Sequence, residues 1–190
     1  MDRNVKTMKK KIFILSLIAL CVSLCLVGTV AFFAADRTAR NVITAGNLQI
    51  ELVETDGNGH PFEDVFGVIP GEKIAKVVAA KNPSERPCFV RISVDKRIQL
   101  AQGVTGTPDL SLVAMDFNTT DWIEQDGYFY YTRILNPGET TEPLFTTVSF
   151  DAAMNNLYKG SAAKVIVDVQ AVQSANNGDT ALAANGWPEQ

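Results

Sequence analysis

Apolar side chains recur at every second position through most of this chain, in short runs divided by turn residues. Leu48, Ile50 and Leu52 alternate with Gln49 and Glu51, which predicts a strand with one buried face, because successive side chains on a strand point to opposite sides. Cys88, Val90, Ile92 and Val94 share a face opposite Phe89, Arg91 and Ser93. Val113, Met115 and Phe117 share another, and the opposing Leu110, Leu112 and Ala114 are also apolar, which predicts a central strand covered on both sides. Phe129, Tyr131 and Leu135 oppose Tyr128, Tyr130 and Ile134; Leu144, Thr146, Val148 and Phe150 form a further face; Ala163, Val165, Val167, Val169 and Ala171 form the last. Residues 151–157 are the one stretch that predicts a helical turn, with Asp151 placed to cap it.

The turn residues agree with this reading. Asp126-Gly127 is a dipeptide that tight hairpins favour, because its positions need positive φ. Ile69-Pro70-Gly71-Glu72 and Asn136-Pro137-Gly138-Glu139 each set φ with Pro and supply positive φ with Gly, as a type II turn requires. Roughly seven to nine strands at this spacing predict an all-β fold, an antiparallel β-sandwich of jelly-roll or immunoglobulin-like topology. The sandwich is expected over residues 41–174, followed by a mobile polar tail over residues 175–190, with Trp187 able to dock.

The pattern changes before residue 36. Residues 12–35 carry no charge and follow Lys9, Lys10 and Lys11. A basic start, an apolar run and small residues at Thr29 and Ala31 are the marks of a secretory signal, so residues 1–31 are expected as an N-terminal signal helix cut before Phe32. The run is also long enough to stay as an uncleaved membrane anchor. Lipidation is not expected, since Cys21 and Cys25 follow Leu20 and Leu24 rather than a small residue. Cleavage would free an arm, residues 32–40, that opens with Phe32, Phe33, Ala34 and Ala35. Such an apolar extended segment is suited to pairing with a sheet edge on a neighbouring subunit.

Gly28-Thr29-Val30-Ala31-Phe32-Phe33-Ala34-Ala35-Asp36, followed by Asn41-Val42-Ile43-Thr44-Ala45-Gly46-Asn47-Leu48-Gln49-Ile50-Glu51-Leu52, resembles the start of proteins processed by a SipW-type signal peptidase. These are the TasA and camelysin-like surface proteins of Gram-positive bacteria. Trp122, Asp126-Gly127-Tyr128-Phe129-Tyr130-Tyr131, Leu135-Asn136-Pro137-Gly138-Glu139-Thr140-Thr141 and Leu144-Phe145 extend the resemblance over most of the chain. The resemblance implies a secreted β-sandwich located in the extracellular matrix or on the cell surface. It further implies a transient encounter with the signal peptidase, membrane contact only as precursor, and in the best-known members a biofilm fibre that forms by self-association or with other matrix proteins.

Charge and candidate chemistry narrow the function. Removing residues 1–31 takes away five of 17 basic and one of 21 acidic side chains, leaving 12 against 20 and a net charge of −8. Such a surface repels nucleic acid and anionic lipid. Only Cys88 remains, so no internal disulfide is possible and the core must hold the fold. His60 is the only histidine, and no His-Glu-x-x-His pattern exists for a metallopeptidase of the kind camelysin-like relatives have been described as. Cys88 and His60 could be imagined as a nucleophilic pair, but the alternation with Val90 and Ile92 predicts a buried thiol. No Gly-x-Ser-x-Gly elbow occurs. Glu54-Thr55-Asp56-Gly57-Asn58-Gly59 imitates the start of a calcium loop, but Val65 falls where the bidentate Glu belongs and Pro61 interrupts it. Tyr128 to Tyr131 could form an adhesive strip if exposed; cross-strand packing is the expected role. The sequence therefore points to a non-enzymatic structural protein without metal or cofactor, with a monomeric surface-binding module as the alternative and a metallopeptidase third.

Overall fold

In the computed structural model, residues 40–41, 48–63 and 70–188 are described. They form nine strands: β1 (Arg40–Asn41), β2 (Glu51–Thr55), β3 (Lys73–Lys81), β4 (Cys88–Gln99), β5 (Val113–Met115), β6 (Trp122–Gln125), β7 (Tyr128–Tyr131), β8 (Phe145–Phe150) and β9 (Ala162–Gln173). A five-stranded sheet runs in the order β1-β9-β4-β7-β6, and a four-stranded sheet in the order β2-β3-β8-β5. All pairings are antiparallel except that of β1 with β9. The fold is thus the all-β sandwich that the alternation predicts. From β3 to β5, and again from β7 to β9, each strand steps to the opposite sheet. This wrapping is similar to that of a jelly roll, from which β2 and β6 depart by lying beside β3 and β7, and β1 by pairing in parallel with β9.

The inward residues of both sheets meet in one core. Leu48, Ile50 and Leu52 join Val90, Ile92, Phe129, Tyr131, Val148, Val165, Val167 and Val169 there. Trp122 is its largest fully buried side chain, and the indole Nε1 donates to the Glu142 carbonyl at 3.1 Å, so the polar end of the ring is satisfied. Phe117 stacks on Phe129 with ring centroids 4.4 Å apart and meets Phe145 edge-on at 5.8 Å.

The turns behave as their chemistry requires. Asp126 and Gly127 both take positive φ, 52° and 81°, in a two-residue hairpin between Gln125 and Tyr128, the type I′ arrangement whose twist matches that of the flanking strands. Gly71 and Gly138 sit at φ 84° and 79° after their prolines. The second of these turns is tied down by Asn82, a wholly buried polar residue at the end of β3. Asn82 Nδ2 donates to the carbonyls of Arg86 at 2.8 Å and Leu135 at 3.0 Å, and its Oδ1 accepts from the Ser84 amide at 3.0 Å.

Three expectations are corrected. Leu110–Leu112 is a short 3-10 turn capped by Asp109, with Leu110 exposed, and β5 after it is an edge strand rather than a central one. The helical turn falls on Asn156–Tyr158, where the Asn155 side chain accepts from the Leu157 amide; Asp151 instead accepts from the Ala153 amide at 2.7 Å. The C-terminal segment is not a free tail, because Ala181, Ala184 and Trp187 pack with Phe89, Tyr130 and Val172 on the outer face of the five-stranded sheet. The segment is shaped by Asn177, whose Nδ2 donates to the carbonyls of Gln173 and Asn185 while Oδ1 accepts from the Asn185 amide.

Candidate assembly edge

β9 is the strand that gathers the candidate features. Its alternate residues Ala163, Val165, Val167, Val169 and Ala171 are buried in the core, and towards its end Gln170 and Val172 on the opposite face are buried as well. On one flank it pairs with β4 over its whole length, from Ala162 against Gln99 to Gln173 against Cys88. On the other flank, among the described residues, only Asp168 and Val169 have strand partners, namely Arg40 and Asn41 of β1 in parallel register. A long apolar strand with few strand partners on one flank among the described residues is a pairing template, and natural sheets usually shorten, charge or cover such a flank.

The other edges of the sandwich are treated in that way. β5 has three residues, and beyond it the Asp116 carboxylate takes over from a strand. Its Oδ1 accepts from the amides of Thr146 at 2.8 Å and Thr147 at 2.7 Å, and its Oδ2 from the Thr146 hydroxyl at 2.6 Å. Partial burial pushes the Asp116 carboxyl up, but these bonds outweigh it and hold the group below the usual carboxylate range. β6 has four residues, three of them exposed. β2 has five residues and carries an ion pair with little exposure, where Glu54 Oε1 lies 2.7 Å from Lys76 Nζ, itself 4.0 Å from the centre of the Phe62 ring.

The outer face beside β9 is covered from within the chain. Arg91 on β4 is 9 % exposed and is held between rings, its guanidinium carbon 3.8 Å from the centre of Tyr128 and 4.6 Å from that of Trp187. Its Nε donates to Gln170 Oε1 at 2.8 Å, Nη1 to the Tyr130 hydroxyl at 3.2 Å and Nη2 to the Pro188 carbonyl at 3.2 Å. One cation therefore clamps the C-terminal segment to β4, β7 and β9, and the aromatic strip is divided between two layers. Phe129 and Tyr131 lie in the core, whereas Tyr128 and Tyr130 lie under Trp187.

The candidate groups for chemistry are dispersed. Cys88 is wholly buried, its Sγ facing the Leu135 carbonyl at 3.7 Å, and burial pushes the thiol pKa up to about 12. His60 is exposed and its Nδ1 lies 3.4 Å from Asp56 Oδ2, so the structure does not bring the two together. The calcium-like stretch is spent on its own turn. Asp56 Oδ1 accepts from the amides of Asn58 at 2.8 Å and His60 at 2.9 Å, and Glu54 is committed to Lys76. Slight desolvation raises the Asp56 carboxyl, and the bonds from Asn58 and His60 bring it below its ordinary value. Among the described residues, no three His, Cys, Asp or Glu side chains converge as metal ligands. A polar cavity of about 360 Å³ lies beside the β7–β8 connection. Its charged groups are already engaged, Arg133 with Glu142, Asp121 and the Tyr131 hydroxyl, and Glu139 with Asn136.

Thr29, Ala31 and Phe32 of the expected cleavage site, and Phe32, Phe33, Ala34 and Ala35 of the expected arm, lie outside the described residues, as does the expected signal helix. Among the described residues no helix is long and apolar enough to cross a membrane. No family model, curated protein or solved structure matches the chain. Sequence reading missed Arg91 and Asn82. Arg91 alone left a signal, as a cation between Val90 and Ile92 on a strand otherwise fit for burial.

Proposed function

We propose that this chain is a secreted structural subunit of an extracellular matrix or cell-surface fibre, assembled by strand addition. The observation that supports this reading is the edge of β9, a 12-residue strand on which the described part of the N-terminal segment sits in parallel over two residues. Main-chain hydrogen bonds along that flank would supply affinity, and the apolar residues of the incoming arm would supply specificity. Identical subunits, each offering one arm and one edge, join head to tail and need not close. Export, removal of residues 1–31 by a SipW-type peptidase and the absence of catalysis belong to the same proposal.

The second reading is a monomeric surface module, favoured by β1 belonging to the same chain as the β9 it pairs with. Deleting Phe32, Phe33, Ala34 and Ala35 from the processed protein separates the two. A fibre subunit becomes a folded monomer in light scattering and electron microscopy, and a peptide of residues 32–41 stops growing fibres. If the shortened protein still polymerises, or the processed protein stays monomeric at high concentration, strand addition is wrong and the monomeric module stands.

A further inference from the structure

The outer face of the five-stranded sheet carries a receptor whose occupant is already seated. Gln170 of β9, Arg91 of β4 and Tyr130 of β7 stand in one register row across it, and residues paired across a ladder point to the same side. Gln170 Oε1 accepts from Arg91 Nε, the Tyr130 hydroxyl accepts from Nη1, and the Tyr128 ring centre lies 3.8 Å from the guanidinium carbon. All three contacts come from the sheet itself. The cation is therefore held in place independently of the C-terminal segment, and a ligand pays little to order it. The segment supplies the remaining contacts, the Pro188 carbonyl to Nη2 at 3.2 Å and the Trp187 ring at 4.6 Å.

The occupant is short and carries its own anchors. Ala181, Ala184 and Trp187 recur at every third position and pack with Phe89, Tyr130 and Val172, whereas Leu182 between them is exposed. Its main-chain bonds are local, from the Ala183 amide to Thr180 and from the Ala184 amide to Ala181. Side-chain packing and one carbonyl, rather than a strand ladder, attach it to the sheet. At its junction with β9, the Asn177 carboxamide ties the Gln173 carbonyl to Asn185 and so folds the segment back on its own domain. A contiguous segment with all its anchors can make the same contacts from another chain, as exchanged elements do in swapped oligomers.

We propose that this face is a binding site for a segment of the form Ala-x-x-Ala-x-x-Trp-Pro, closed in cis by residues 174–188 and filled in trans by the same segment of a second copy. The site uses the outer face of the sheet rather than the flank of β9, so it does not rest on strand addition. Indole and guanidinium give it selectivity, because a tryptophan face is the best aromatic partner for a cation. The tethered segment acts at an effective concentration on the order of millimolar. Dilute protein is accordingly closed, and exchange between copies follows when the Asn177 junction opens.

The test adds a fluorescent peptide of residues 174–188 to the processed full-length protein and reads its anisotropy. Trp187→Ala loosens the chain's own segment and leaves the receptor whole. This variant should bind the peptide about tenfold more tightly, or better, than the unchanged protein, in which the cis segment competes. Adding Arg91→Ala to it should weaken binding by about tenfold or more, and so should Ala in place of Trp187 in the peptide. Asn177→Ala removes the junction bonds to Gln173 and Asn185 and should raise peptide binding severalfold over the unchanged protein. The link between copies is read by energy transfer in an equimolar mixture of Trp187→Ala and Arg91→Ala proteins labelled with different dyes. One brings an empty receptor and the other a free segment, so transfer should exceed that of either variant mixed with itself, which reports any strand addition. If Trp187→Ala protein, folded by circular dichroism, does not bind the peptide, or binds it equally with and without Arg91, the site is overturned. If it binds the peptide but the mixture gives no added transfer, the second copy is overturned as the occupant. Should Trp187→Ala fail to fold, Asn177→Ala decides: severalfold tighter peptide binding upholds the site, and unchanged binding overturns it.

Discussion

Replacing Asn82 by Ala tests how the strand ends of this sandwich are held. The wholly buried carboxamide donates to two main-chain carbonyls, those of Arg86 and Leu135, and accepts from the Ser84 amide. The Leu135 carbonyl keeps the Cys88 amide at 3.0 Å after the change, so it is not orphaned. Ser84 is part-exposed and can turn to water. The loss is therefore two to three neutral hydrogen bonds plus a small void, together about 2–4 kcal/mol. In a domain of this size that lowers the melting temperature by roughly 10 °C. The assay is urea and thermal unfolding followed by circular dichroism, at neutral pH and near pH 4. Asn82→Asp supplies the control. It keeps the shape and the acceptor but aims a carboxylate at two carbonyl oxygens, so burial and repulsion favour its protonated form in the folded state. Folding then takes up a proton, and the Asp variant should regain stability as pH falls, whereas the Ala variant should track the parent. A loss below about 1 kcal/mol for Asn82→Ala, or identical pH curves for the two variants, would refute this account of the Asn82 node.

Three further outcomes are expected. The Cys88 thiol, buried and with a pKa pushed up to about 12, should resist alkylation in native protein and react only on unfolding, and labelling in buffer at pH 8 would contradict its core position. Asp116, held below the usual carboxylate range by Thr146 and Thr147, stabilises the fold above its unfolded pKa and loses that contribution as pH falls through the lower folded value. Asp116→Asn should accordingly flatten the acid limb of the stability curve, and an unchanged limb would count against it. Trp187→Ala should free the C-terminal segment, seen as rapid proteolytic trimming after Gln173 with the rest intact, and it should cost about 1–3 kcal/mol from lost ring burial and cation–π contact. Equal protease resistance in parent and variant would show that the Arg91 clamp does not hold the segment.

The sandwich was legible because alternation is a direct image of a half-buried strand. Ile50 and Leu52, Val90 and Ile92, and Val165, Val167 and Val169 all enter the core as their spacing requires. The same rule failed at Leu110–Leu112, because two apolar faces in sequence do not distinguish a central strand from a 3-10 turn leading into an edge. It failed again at residues 175–188, whose composition is that of a loop. There, small side chains such as Ala181 and Ala184 allow close approach to the sheet, and one cation between rings supplies the attachment. The features around the β9 edge were the least legible. β1 and β9 come together through a parallel pairing across more than half the chain, and a contact of that kind leaves no local periodicity.

The long β4–β9 ladder also has a mechanical meaning. Every residue of β9 from Ala162 to Gln173 faces a partner on β4, and the two strands lie side by side rather than end to end. A pull delivered along the axis of β9 loads those cross-strand bonds in shear, so they share the force and must fail together. A pull at right angles would open them one at a time from an end. A strand added along β9 would deliver force in the first way, directing tension into the most extensively paired ladder of the domain. The short β6 and β5 edges offer no comparable attachment. Tension entering along β9 would thus be borne by twelve paired residues at once rather than by one pair at a time.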